Sequence, residues 1–280
     1  MPLTEAAAKF QSAANDVKKV LEKDKLARKA APKFAAFFRD QKALVLAQLE
    51  SKLKPHFPEP SEAKTQKAPL PKDLEKIWNT IWDGISEDTT GTLQKLILST
   101  EQEGLIKGAL QLQTTIRPTD KSTWDLKNPR AVAWFKESGG SLQYIKDIQT
   151  TTKDELQTII GNAIAEGKSY TKLEKEIRDR FDEYSVKLPG KDITRARLIA
   201  VTEVGRSYEE GNAQFAQGLK DEGVIMEKRW MNSGDGRVSD GCLENTAADW
   251  IPIDDSFPSD DQQPPRFPGC RCYAAYREAK

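Results

Sequence analysis

The residues with chemistry to offer crowd into the last third of the chain. They run TRARLIAVTEVGRSYEEGN (194–212), KRWMNSGDGRVSDGC (228–242) and PPRFPGCRC (264–272). All three cysteines of the protein, Cys242, Cys270 and Cys272, lie in the second and third of these blocks. If the loop between them folds back, three thiolates plus one further ligand would hold a structural zinc ion tetrahedrally. Asp240 is the nearest candidate for the fourth position. The spacing is unlike a pair of CxxC motifs, and three small buried or free thiols are the plainer reading.

Thr202 and Glu203 stand within a helical stretch, with Arg206 three residues on. That spacing gives an ordinary ion pair of about 0.2–0.5 kcal/mol. Glu203 could instead reach the following β segment and pair with Arg229 or Arg237. A buried pair there would fix helix against sheet, and losing one partner would cost about 3–5 kcal/mol. Asp235 and Arg237 flank Gly236, where the chemistry of a tight hairpin turn explains them. Trp230 and Trp250 are expected as core anchors. The alternative is an enzyme, a transferase or nuclease-like effector using Glu203, Asp235 and Arg237. It lacks an identifiable nucleophile or second acid/base group. The only histidine, His56, sits in a proline-rich stretch. There is no P-loop, GxGxxG, HExxH or GxSxG. A chain without catalytic residues is the reading that follows.

The elements that must position these residues are mostly helical. Residues 3–30 read as a helix rich in Ala and Lys, broken near Pro32. Phe34, Phe37, Phe38, Val45, Leu46, Leu49 and Leu53 then keep helical spacing. Their partners are remote in sequence and could belong to another protein. Residues 54–72 hold five prolines in polar surroundings and read as a linker. Leu74, Ile77, Trp78, Ile81, Trp82 and Ile85 mark one helix face, and 92–112 another helix. Asn128-Pro129 is a helix start, with Gly139-Gly140 as its stop. Thr152-x-x-Glu155 reads as a capping box for a helix ended by Gly167. Ser169 caps the next one. A long helix over 192–221 follows, then a strand at VIMEKRWM and a turn at 232–236. Residues 243–269 read as irregular, and CRCYAAYRE as a closing strand that pairs back. The fold class is α+β: a mostly helical N-terminal and central region with a small β-containing C-terminal module.

Bulk properties narrow the function classes. The 280 residues carry 43 Lys/Arg and 43 Asp/Glu, so a wholly basic nucleic-acid binder is excluded. The charge is uneven: residues 1–54 hold 12 basic against 6 acidic residues, and 224–280 hold 7 against 10. A basic arm of that kind can touch a polyanion, although a solvated helix face is the commoner meaning of such a run. No run approaches the ~18 apolar residues of a membrane span. Three cysteines do not make a disulfide framework, and an odd number fits a reducing compartment or a metal site better.

TTKDELQTIIGNAIAEGKSYTKLEKEIRDRF (151–181), ARLIAVTEVGRSYEEGN (196–212), KRWMNSGDGRVSDGC and PPRFPGCRC, in this order, resemble the phage Mu protein F-like family. These are minor head, or head morphogenesis, proteins of tailed bacteriophages, related to the gene product 7 group of phage SPP1. The resemblance covers 150–280, and AFFRDQKALVLAQL (36–49) also looks like the N-terminal part of such proteins. It implies a minor capsid protein in the virion, inside the head, reached from the host cytoplasm during assembly. It implies the phage portal protein and the capsid or scaffold interior as partners, a role in head assembly and DNA packaging or ejection, and nonspecific contact with double-stranded DNA. The expected organisation is a helical basic arm (1–53), a Pro-rich linker (54–72), a helical domain (73–190) and a Mu F-like α+β module (191–280). Effector domains can be fused to such modules; with eight residues after Cys272, none is expected here. The chain departs from the family pattern in three places. Val201 stands where the family often has Arg before Thr-Glu. Its usual His-Pro-x-Cys-x-Cys reads Phe267-Pro268-Gly269-Cys270-Arg271-Cys272. The Cys or His near the Asp-x-Arg-Val segment survives only as Cys242. If the family cluster binds metal, this chain has lost a ligand, which favours a packing or hydrogen-bonding role for the block over a cofactor.

Overall fold

The computed structural model describes residues 3–57, 72–120, 124–137, 142–185, 193–234 and 238–279. Among them the order of elements is α1 (Leu3–Lys52), α2 (Lys72–Ile116), α3 (Pro129–Glu137), α4 (Leu142–Ala165), α5 (Tyr170–Ser185), α6 (Arg195–Asp221), β1 (Met226–Met231), α7 (Asp240–Ala247), β2 (Trp250–Pro252) and β3 (Tyr273–Glu278). A 3-10 turn at Lys54–His56 follows α1. Helices thus precede one small antiparallel sheet of order β2-β1-β3, an α+β fold. Most of the expected linker and the Gly139-Gly140 stop lie outside the described residues. No helix among the described residues is long and apolar enough to cross a membrane.

The chain forms two compact units. One comprises Met1–Ala31, Leu98–Ser138 and Arg197–Lys280, and the other Pro32–Ile97 and Gly139–Ala196. The segment expected as a helical arm is therefore divided between them at Ala31 and Pro32.

Two helix expectations fail. α1 runs unbroken through Pro32, and the helices expected at 74–85 and 92–112 are one helix, α2. An interior proline removes one backbone bond and costs about 3 kcal/mol. Ala27, Ala30, Phe34, Ala35 and Phe38 are all buried, so burial on both sides of the proline offsets that loss.

In the unit of Pro32–Ile97 and Gly139–Ala196, Phe34, Phe37, Phe38, Val45, Leu46, Leu49 and Leu53 are buried within the chain itself, with no second protein needed to cover them. Phe38 packs on Tyr184 with ring centroids 5.0 Å apart, and Phe181 meets the same ring at 5.3 Å. The Arg195 guanidinium lies 4.8 Å from the Tyr184 centroid. A buried polar chain runs through this core. Gln41 Nε2 donates to Gln149 Oε1 at 3.0 Å, and Gln149 Nε2 to Thr89 Oγ1 at 3.0 Å. Thr152 does not cap a helix, because α4 has already begun at Leu142. Its hydroxyl donates to Ile148 O at 2.8 Å, and Glu155 accepts from the Tyr184 hydroxyl instead. The end of α4 is as expected: Gly167 adopts φ 63° and Lys168 N donates to Ala163 O at 2.8 Å.

In the other unit, β1 buries Met226, Lys228 and Trp230 on one face. β3 pairs antiparallel with β1, with Trp230 opposite Ala274 and Lys228 opposite Tyr276, as the closing strand was expected to do. Met226, Ala274 and Tyr276 pack with Leu112, Ala216 and Leu219 of α2 and α6. α3 starts where Asn128-Pro129 places it, and Asn128 Oδ1 accepts the Arg130 N–H at 2.9 Å. Among the described residues no strand follows β1 directly, and residues 235–237 of the expected turn lie outside them. Asn232 Oδ1 accepts the Gly234 N–H at 2.8 Å, and the chain then enters α7 rather than a second strand. Residues 243–269 are accordingly not all irregular, since α7 and β2 occupy part of them. Ser239, which precedes α7, is an N-cap whose Oγ accepts the Cys242 N–H.

Candidate functional site

α6 is the element on which the C-terminal residues converge. It crosses α2 at very short range: a methyl group at Gly108 would lie 2.0 Å from the Tyr208 carbonyl oxygen, and one at Gly211 would lie 2.0 Å from that of Leu105. Only glycine allows two backbones to meet so closely. Three polar anchors then leave α6 at different heights.

The first is Thr202. Its hydroxyl donates to Leu198 O at 2.8 Å and accepts the Gly269 N–H at 3.0 Å. Gly269 holds φ 82°, a conformation that aims its N–H at the helix and that side chains rarely adopt. The proline-glycine segment before Cys270 is thereby tied to α6.

The second is Glu203, 2% exposed. Arg206 contacts it at 3.2 Å, the expected i,i+3 pair, and also binds the buried Glu101 of α2. Among the described residues Arg229 pairs with Asp249 at 3.1 Å rather than with Glu203; Arg237, the other expected partner, lies outside them. Burial pushes the Glu203 carboxyl up to about 8 and draws the Arg206 guanidinium down to about 10. Two acids facing one arginine leave one of them better held as the neutral acid.

The third, Glu209, was not singled out from the sequence. Its side chain is fully buried, with Lys19 Nζ at 3.1 Å and Lys23 Nζ at 2.8 Å. It also accepts the Ala274 N–H at 3.0 Å. Lys19 donates to Ala274 O at 2.6 Å and Lys23 to Cys272 O at 3.0 Å. Burial alone would raise the Glu209 carboxyl, but the two ammoniums and the N–H outweigh it, and the net shift is downward. β3 is an edge strand, and such an edge offers unpaired N–H and C=O groups to any passing chain. Here two lysines and a glutamate occupy them. The basic residues of α1 thus serve this edge as well as any outside partner. The i,i+4 spacing of Lys19 and Lys23 is the one sequence signal that two cations share a helix face.

The three cysteines come together as anticipated. Their sulfur atoms all lie within 4.8 Å of one another, and all three are buried with Trp230 and Phe257. The Cys272 thiol lends a hydrogen bond that draws the Cys270 thiol down to about 6, while the same contact pushes Cys272 up. Burial raises Cys242. Asp240 is exposed and stands outside this group, so it is not the fourth ligand. Trp230 is fully buried, as expected of an anchor. Trp250 is only half-buried and stacks under Arg277, whose guanidinium is 4.1 Å from its ring centroid. Asp235 and Arg237 lie outside the described residues.

A polar recess of about 310 Å³ opens beside α6, lined by Glu210, Gln214, Lys228 and Gln263 among others. Glu210 accepts from Gln214 at 2.7 Å and Gln263 at 2.6 Å. Lys228 donates to Gln262 O at 2.9 Å, and burial draws it down to about 8. Glu210, Gln214 and Gln263 thus satisfy one another, as do Lys228 and Gln262.

Taken together, these contacts describe an α+β anchoring module: one central helix holds a short sheet, a proline-glycine loop and a thiol cluster through separate polar contacts. Residues 154–275 match the family model described as Phage Mu protein F like protein. The match supports the resemblance to the phage Mu protein F-like family that the order of the sequence blocks implied. No curated protein and no solved structure matches the chain. The family is a structural one of bacteriophage head morphogenesis, which is consistent with a role other than catalysis.

Proposed function

We propose that the chain is a minor head protein of a tailed bacteriophage, mounted inside the capsid at the portal, assisting head assembly and DNA packaging or ejection. The match over 154–275 carries this reading. The way α6 ties down the sheet edge and the cysteine loop supports it, because those contacts build a rigid mount. Quantifying the chain in purified particles tests it. The chain should be present in few copies and resist external protease until heads are opened; its absence from procapsids and virions alike would sink the reading.

Nonspecific contact with double-stranded DNA belongs to the same proposal and rests on the amines that α1 leaves exposed. Lys19 and Lys23 face Glu209, whereas Lys18 and Lys25 are exposed one heptad apart on the same helix. Neutralised phosphates release counterions, so binding should weaken steeply with salt, with a slope of about −0.9 per phosphate contact. Replacing Lys18 and Lys25 with Gln should flatten that slope by about 2. Salt-independent binding, or an unchanged slope in the variant, would count against DNA contact through α1.

A further inference from the structure

The cysteine cluster has two neighbours that an inert thiol cluster does not need. Trp230 is fully buried against the three cysteines, and its indole N–H makes no hydrogen bond to any described residue. A buried N–H without a partner costs free energy, and a metal-bound thiolate is a far better acceptor than a neutral thiol. Arg266 is the second neighbour. Its Nε donates to Asp261 at 2.5 Å, and its Nη1 lies 2.0 Å from where a side chain at Gly241 would begin. The guanidinium thereby lies against Gly241, the residue before Cys242, which has no side chain to block it.

The sulfur geometry is close to that of a coordination site. Zinc–thiolate bonds of about 2.3 Å in a tetrahedron separate the sulfurs by about 3.8 Å. The three sulfurs here lie within 4.8 Å of one another, so a contraction of at most about 1 Å would bring them to coordination distance. Two of them come from the segment entering β3 and one from α7, so an ion there would join a helix to a strand. Among the described residues no fourth His, Cys, Asp or Glu belongs to the group.

We infer that Cys242, Cys270 and Cys272 form a three-thiolate site for zinc, with Trp230 and Arg266 as positioning residues and the fourth coordination position left to water. On binding, three S–H bonds give way to three Zn–S bonds and the protons leave to solvent. The complex carries one net negative charge. The Arg266 guanidinium, shared with Asp261, faces that charge at Cys242, and the Trp230 N–H faces it at Cys272. The site does not depend on the head-protein reading, since it concerns the purified chain alone.

The test is metal content and spectroscopy on the full chain. Protein purified without chelator from zinc-supplemented cells should contain close to one zinc per chain. Exchange with cobalt should give a thiolate-to-metal charge-transfer band and the intense visible bands of a tetrahedral site. Trp230→Phe and Arg266→Gln keep all three sulfurs and should each weaken zinc binding about 10-fold, as loss of a partner to a ligand does. Cys270→Ser should abolish the cobalt charge-transfer intensity of at least one thiolate. Wild-type protein that holds no zinc and gives no cobalt bands would overturn the inference. Unchanged zinc affinity in both the Trp230 and Arg266 variants would remove their assigned roles.

Discussion

Glu209 of α6 accepts the backbone N–H of Ala274 of β3 at 3.0 Å, so a side chain stands where a neighbouring strand would otherwise pair. The Ala274 carbonyl on the same edge is taken by Lys19 at 2.6 Å. One residue of the edge strand is thus satisfied on both its N–H and C=O by two side chains that also pair with each other.

Replacing Glu209 with Gln leaves two buried ammoniums facing a neutral amide. Removing one partner of a buried charged network costs about 3–5 kcal/mol. Urea unfolding should register a loss of that size, and the exposed strand edge should make the variant aggregate more readily. A change below about 1 kcal/mol would show that the lysines find water instead.

Glu203 sets the opposite pH trend from Glu209. Its folded carboxyl lies at about 8, above the ordinary 4.5, so the native state holds a proton that the unfolded state releases. Stability is full below the unfolded value and falls as pH rises towards 8, by up to about 1.4 kcal/mol per pH unit. Glu209, shifted downward, contributes stability that is lost as pH falls. Glu203→Gln should therefore flatten the decline between about pH 4.5 and 8 and leave the loss at lower pH in place. A variant that still declined as steeply over that window would place the proton elsewhere.

The helix crossing predicts a contrast among glycines. Gly108→Ala and Gly211→Ala drive a methyl group into a carbonyl oxygen 2.0 Å away and should each destabilise by about 1–3 kcal/mol or more. Gly205 lies in the same helix with nothing within 4 Å, so Gly205→Ala should stabilise by about 0.5–1 kcal/mol. Thermal melts of the three variants would separate a contact effect from a general helix-propensity effect.

Thr202 offers a finer probe. Thr202→Val keeps the shape and removes the acceptor of the Gly269 N–H, which should cost about 1–3 kcal/mol. Thr202→Ser retains the acceptor and should recover most of that loss. Equal destabilisation by both would assign the effect to packing.

What could be read in the sequence was what local chemistry decides. The extent of α6, the start of α3 at Asn128-Pro129, the Gly167 helix end and the return of the last strand onto β1 all follow from short-range signals. The Thr152-Glu155 spacing satisfied a capping rule while lying inside a longer helix, because packing extended α4 back to Leu142. Pro32 was outranked in the same way. In the site, the cysteines announced themselves by residue type. Glu209 did not: with 43 acidic residues in the chain, nothing local marks which of them are buried. Only the tertiary meeting of Lys19, Lys23 and Ala274 selects it.

The glycine crossing of α2 and α6 also fixes how the chain can vary. Two helices that touch through backbone have no side-chain cushion to absorb a shift. One residue inserted into α6 between Tyr208 and Gly211 would turn everything beyond it by about 100°. A bulkier residue would meet Leu105 O where Gly211 now does. Length changes in this chain therefore belong in its loops, and the count of residues from Thr202 to Gly211 is as much a part of the design as their identities.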